Sequence, residues 1–123
     1  MKIYISSHDQ QEALGLSKKC KQLGHSITSS WVYADFKPTK EYTETDRRLI
    51  AEKDIKEVED SDCLILLSCK ERVPGGKFVE TGIAIGLHKS VLILGERENM
   101  LMWTSRAMIF ENEKQLLIYL GSE

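Results

Sequence analysis

No apolar run in this 123-residue chain approaches the ~20 residues that a membrane-spanning helix needs. The opening MKIYISSH has too short an apolar part for a signal peptide and reads as a first strand, so a cytoplasmic protein is expected. Cysteine is scarce: Cys20, Cys63 and Cys69 show neither a CxxC nor a Cys/His spacing, which gives no basis for a zinc site. Cys63 and Cys69 fall on one side of one expected strand and are expected as small buried hydrophobes. His8, His25 and His88 lie in separate elements without the i,i+4 spacing of helical metal ligands, so neither metal nor cofactor is expected. Charge of one sign is lacking too. A net charge of −2 offers no electrostatic case for a nucleic acid or an anionic membrane as partner.

What is present is an ordinary globular composition, 41% apolar and 29% charged, without repeats, low-complexity segments or linkers. Residues 1–123 therefore read as one domain. KIYIS (2–6) is a strand and DQQEALGLSKKCKQLG (9–24) a helix, its Ala13, Leu16, Cys20 and Leu23 at helical intervals and Gly24 as a stop. HSITSSWVY (25–33) is β-branched and aromatic, and predicts a second strand. A polar loop with Pro38 (34–45) precedes a helix over 46–61. DCLILLSC (62–69) is a continuous apolar run, the mark of a strand buried on both faces. A Pro-Gly-Gly turn, a helix over 77–88, a strand over 90–95, a weak strand at 106–110 and a helix at 113–120 complete the chain. Alternating strands and helices predict an α/β fold with about five parallel strands, covered on both faces. In such sheets ligands bind at the carboxyl ends of the strands, which directs attention to loops 6–9, 34–45, 69–77 and 95–105.

Two carboxylates stand on apolar helix faces. Glu80 is followed three, four and seven residues later by Ile83, Ala84 and Leu87. Asp54 falls near the centre of a stripe made by Leu49, Ile50, Ala51, Ile55 and Val58. A buried charge without partners is costly, so such groups are paired, protonated or functional. The plain readings are a buried salt bridge or a helix overhanging the sheet edge for Asp54, and a first-turn carboxylate at the positive end of its helix for Glu80. The functional reading is glycosyl transfer. An ionised carboxylate attacks or stabilises an anomeric carbon, and a second acid manages the leaving group's proton. Glu80, near a helix N-terminus, would stay ionised; Asp54, in apolar surroundings, would have the raised pKa of a proton donor. Gly75 and Gly76 would let backbone N–H groups approach a ligand, and the helix end favours an anion.

Tyr4 in the first strand, Asp54 in EKDIKEVEDSDCLILL, Glu80 in GGKFVETGIAIGLHKSVLILG and Asn99 in ENMLMW together resemble the nucleoside 2-deoxyribosyltransferase family, which includes deoxynucleoside 5′-monophosphate N-glycosidases. The resemblance spans nearly the whole chain. It implies a flavodoxin-like (Rossmann-like) three-layer sandwich with a five-stranded parallel sheet. It further implies cleavage of the N-glycosidic bond of a small-molecule deoxynucleoside or its 5′-phosphate, with transfer to another base or to water. On that resemblance Glu80 is the nucleophile, Asp54 the acid serving the departing base and Tyr4 the residue that orients the nucleophile. Asn99 is a residue lent to the neighbouring subunit's sugar site, which implies a homodimer or larger homo-oligomer. The pattern departs at Pro74, where relatives carry Asp or Ser, and at Ser6-Ser7-His8, where they carry glycine. Ser6, Ser7 and the Gly75-Gly76 backbone are then expected to hold the substrate's 5′ end, and Trp31 to stack on a base. Two rivals are a lysine-decarboxylase-like nucleotide phosphoribohydrolase, from the partial likeness of PGGKFVE, and a nucleotide-binding module of the same fold without turnover.

Overall fold

A computed structural model of the chain describes residues 1–71 and 73–121. Five strands, β1 (Lys2–Ser6), β2 (Ser26–Ile27), β3 (Cys63–Leu67), β4 (Ser90–Leu94) and β5 (Ala107–Phe110), form one parallel sheet in the order β2-β1-β3-β4-β5. Four helices cover it: α1 (Gln10–Gln22), α2 (Glu44–Glu59), α3 (Gly76–Gly86) and α4 (Glu113–Gly121). Ile3, Ile5, Cys63, Ile65, Leu67 and Leu92 pack against α1 and α4 on one face. Tyr4, Leu64, Leu66, Val91 and Ile93 pack against α2 and α3 on the other. The two-residue alternation of a strand divides these sets, and β3, sandwiched between layers, is apolar at all five positions. The expected three-layer α/β sandwich is present.

Local chemistry sets the helix boundaries. Asp9 caps α1 by accepting from the backbone N–H groups of Gln11 and Glu12. Thr43 and Asp46 form a reciprocal capping box on α2. Neither device occurs at α3, where Gly75 is the cap and no side chain closes the helix end.

Three expectations need correction. The second strand does not run over 25–33: it stops at Ile27, and Ser30–Tyr33 is a 3-10 turn. Side chains replace its ladder. Ser29 Oγ accepts from the backbone N–H of Ile5 at 3.0 Å, and Trp31 Nε1 donates to the Ile5 carbonyl at 2.8 Å. With both polar groups of Ile5 satisfied this way, the chain is free to curl over the end of β1. The apolar stripe of α2 is also not core. Val58 alone is buried, while Leu49, Ile50, Ala51 and Ile55 are exposed, because only the carboxyl-terminal end of α2 reaches the sheet. Finally, Cys63 is buried, but Cys69 lies two residues past β3, half-buried beside a surface crevice.

Gly95, just after β4, has φ of 114°, a backbone region that favours glycine, and an added Cβ would lie 1.8 Å from Ser68 Oγ. Gly95→Ala is expected to destabilise the fold by about 1 to 3 kcal/mol. Urea unfolding of the two proteins checks it, and an unchanged midpoint would contradict this account of the β4 exit.

Candidate active site

Strand alternation puts Tyr4 and Ser6 on the α3 side of β1, and both reach the same carboxylate. The Tyr4 hydroxyl donates to Glu80 Oε2. Ser6 Oγ donates to Glu80 Oε1 at 2.7 Å and lies 3.1 Å from the Lys77 carbonyl. Each oxygen of Glu80 therefore has its own hydroxyl donor, which fixes the carboxylate's plane and rotamer. Ser6 is fully buried beneath Glu80 and does not line the cleft.

Glu80 lies five residues into α3, in its second turn rather than at its amino end. The expectation that the helix N-terminus holds it ionised is therefore replaced. Burial pushes its carboxyl pKa above the ordinary value, and the hydrogen bonds from Tyr4 and Ser6 oppose that push. Burial, and then the Glu80 carboxylate, hold the Tyr4 phenol well above its usual range, so it remains a donor.

Glu80 opens into a cleft of about 710 Å³ whose walls include Ser7, His8, Trp31, Phe36, Asp54 and Gly76. The cleft lies at the carboxyl ends of β1 and β3, where the strand order reverses. Because α2 runs back along β3, its middle turn overhangs this end and carries Asp54 to the cleft. Burial, followed by the charges of Glu80 and Glu57, raises the Asp54 pKa to about 6. Beside Asp54, a smaller, largely apolar recess of about 200 Å³ is bounded by Trp31, Phe36, Tyr42 and Ile50. The two carboxylates thus face one solvent-filled space from different helices, one held by donors and the other inclined to keep a proton.

Of the residues expected at a site, Tyr4, Ser6, Ser7, Trp31, Asp54, Gly76 and Glu80 come together here. Gly75 forms the α3 cap next to the cleft; neither it nor Gly76 has any atom within 4 Å of where a Cβ would stand, so the fold itself does not demand glycine at either position. Asn99 does not join the site of its own chain. It is exposed, and its side chain caps the 3-10 turn Met100–Trp103 by accepting from the Leu101 N–H at 3.0 Å.

Several residues that build the site are not visible to sequence reasoning. Gln10 Nε2 contacts the carbonyls of Trp31, Val32 and Ala34 at 3.0, 3.3 and 2.8 Å, clamping the 3-10 turn to the start of α1. Lys77 Nζ pairs with Glu98 Oε2 at 2.7 Å, the lysine side chain only 2% exposed, tying the first turn of α3 to the loop after β4. Such pairs need tertiary contact, and nothing in the spacing of Lys77 and Glu98 along the chain signals it. Among the described residues no cluster of three or more His, Cys, Asp and Glu could hold a metal ion, and no helix is long and apolar enough to cross a membrane.

A family model described as nucleoside 2-deoxyribosyltransferase matches residues 3–117. No curated protein matches the chain. Among solved structures the fold is similar to a 2-deoxyribosyltransferase from the psychrotolerant bacterium Bacillus psychrosaccharolyticus, at 21% identity over 95% of this chain and 90% of that one, with a TM-score of 0.75. It is similar to a CMP N-glycosidase of Clostridium botulinum at 15% identity over the full length of both chains, TM-score 0.65. It is also similar to a conserved protein of Enterococcus faecalis V583 at 18% identity over 99% and 98% of the chains, TM-score 0.73. At these identities the structural likeness speaks for the fold; the family match covers most of the chain.

Two titrations check the electrostatics of the site. Tyr4→Phe removes a donor to the ionised form of Glu80, so the Glu80 carboxyl should titrate at higher pH, as read by side-chain 13C NMR. An unmoved or lowered midpoint would show that this bond does not hold the charge. Asp54 has a folded pKa of about 6 against an ordinary 3.8. Its contribution to stability is therefore complete below about pH 4 and lost as pH rises through 6. Asp54→Asn should match the parent near pH 4 and be more stable at pH 8, by on the order of 1 kcal/mol after solvent screening. Equal melting temperatures at both pH values would refute the raised pKa.

Proposed function

Because the chain belongs to the nucleoside 2-deoxyribosyltransferase family, we propose that it cleaves the N-glycosidic bond of a 2′-deoxynucleoside or its 5′-monophosphate through a covalent deoxyribosyl-Glu80 intermediate. The observation that carries this reading is the pairing of Tyr4 and Ser6 on the two oxygens of Glu80 at the floor of a cleft that Asp54 faces. A carboxylate held by two donors is presented in one orientation, as in-line attack on an anomeric carbon requires. The Glu80 oxygen forms a bond to C1′ as the bond from C1′ to the base nitrogen breaks. Asp54 delivers its proton to the departing base, which leaves neutral. In the second half, an incoming base or water gives its proton to the Asp54 carboxylate and attacks C1′, releasing Glu80.

The base fits beside Asp54 in the aromatic recess between Trp31 and Phe36, where stacking supplies affinity with little polar discrimination. Ser7 and the Gly75-Gly76 backbone are assigned to the 5′ end of the substrate. Asn99 is assigned to the sugar site of a neighbouring copy. Supporting this, the turn that follows Asn99 exposes Met100, Leu101 and Trp103 at 83%, 76% and 67%, an apolar patch of the kind that marks an interface. The phosphoribohydrolase rival shares the bond type, and the family match does not favour it.

The test is release of free base from a panel of deoxynucleosides and their 5′-monophosphates, followed by chromatography with and without an added acceptor base. Release should fall at least ~10³-fold in Glu80→Ala. It should also decline on the alkaline side as Asp54, with its pKa of about 6, loses its proton. Saturable binding without release from any substrate would instead favour the binding-module reading. Mixing Asn99→Ala with Glu80→Ala tests the shared site: two inactive proteins should regain turnover together, and failure to complement would remove Asn99 from the neighbouring site.

A further inference from the structure

Glu57 is a carboxylate next to this site, on the helix that carries Asp54, and the mechanism above does not use it. It follows Asp54 by three residues on α2, the spacing of neighbours on one helical face. It is half-buried, and its Oε1 accepts from both the backbone N–H and the hydroxyl of Ser30, at 3.1 and 3.0 Å. Ser30 opens the 3-10 turn that carries Trp31, so Glu57 fastens the wall of the aromatic recess to the helix that carries the acid. Among the described residues no lysine, arginine or histidine comes within ion-pair distance of Glu57. Its charge is therefore held in place by dipoles and left uncancelled.

Surroundings decide what that charge does. Asp54 shares its cleft and recess with Glu80 and Lys77 from α3, His8 from the turn after β1, and Asp35 and Lys37 from the loop before α2; Lys53 lies beside it on α2. Tyr42, from the same loop, also lines the recess, and Tyr4 of β1 joins the titratable neighbours through Glu80. A nearby cation favours the ionised form of Asp54, and a nearby fixed anion opposes it.

We propose that Glu57 is a positioning residue for Asp54, which uses a pinned negative charge one turn behind the acid to keep a proton on it and, through Ser30, fixes the recess where that proton is delivered. The inference rests on the reading of Asp54 as the acid, and it extends that reading to how the acid is kept loaded. The same charge raises the pKa of Asp54, the direction the arrangement requires; at Glu80 it pushes the same way, and there the hydrogen bonds from Tyr4 and Ser6 oppose it.

Glu57→Gln tests it, since glutamine keeps an acceptor for Ser30 while removing the charge. In protein with 13C-labelled aspartate side chains, the Asp54 midpoint should fall by about half a pH unit. Glu57→Asp, which keeps the charge, should retain most of the parent value. In turnover, the alkaline limb of kcat/KM should move down by the same amount, giving on the order of threefold less activity above it. A merely structural role would lower activity without moving the limb. An Asp54 midpoint unchanged in Glu57→Gln overturns the proposal, whether or not the protein releases base. A lowered midpoint in a protein that releases no base supports the linkage and removes the glycosidase reading.

Discussion

Everything at this site depends on a carboxylate that cannot be left alone. Glu80 is withdrawn from water, and without donors burial would neutralise it. Two hydroxyls from one strand resolve this, one on each oxygen. Since Tyr4 and Ser6 are two residues apart, only a strand could aim both at the same target. Their own depth at the edge of the sheet's core keeps the donors from wandering. Tyr4 is at once a core residue packed under α2 and α3 and a ligand of the carboxylate, so stability and function share an atom's worth of geometry.

Around that anchor the second helix is used in an unusual way. Its apolar side is only partly spent on the core: Val58 is buried, and the residues nearer its amino end are left in solvent or at the cleft rim. The overhang carries Asp54 to the carboxyl ends of the strands although it precedes β3 in sequence. It also brings Glu57 onto the turn that bears Trp31. Asp54 and Glu80 thus face one space from α2 and α3 with Glu57 one turn from Asp54, an arrangement that costs stability at neutral pH and favours a retained proton on Asp54.

The sequence carries its own account of the architecture where periodicity is strong. The β3 run is apolar throughout because both faces are covered, and α1 shows its buried positions at regular intervals; both elements lie within a residue or two of their expected limits. The stretch 25–33 misled because β-branched and aromatic composition reports a preference for burial and extension, not who supplies the hydrogen bonds. There Ser29 and Trp31 bond β1 through side chains, and the strand ends early. The stripe around Asp54 misled in the opposite sense: its apolar residues are real, but a helical stripe tells which residues share a face and not what that face meets.

By itself, then, the sequence determined the order of strands and helices, the parallel sheet and the presence of two ill-placed carboxylates, because local pattern and the cost of burying charge act along the chain. The family resemblance named their roles. Only the tertiary structure decided that Ser6 serves Glu80 rather than the cleft wall, that Lys77 is paired with Glu98, and that Glu57 is pinned by Ser30 beside Asp54. Those are contacts between residues 21 to 74 positions apart. Their partners are chosen by how layers pack, and no spacing in the chain encodes that choice.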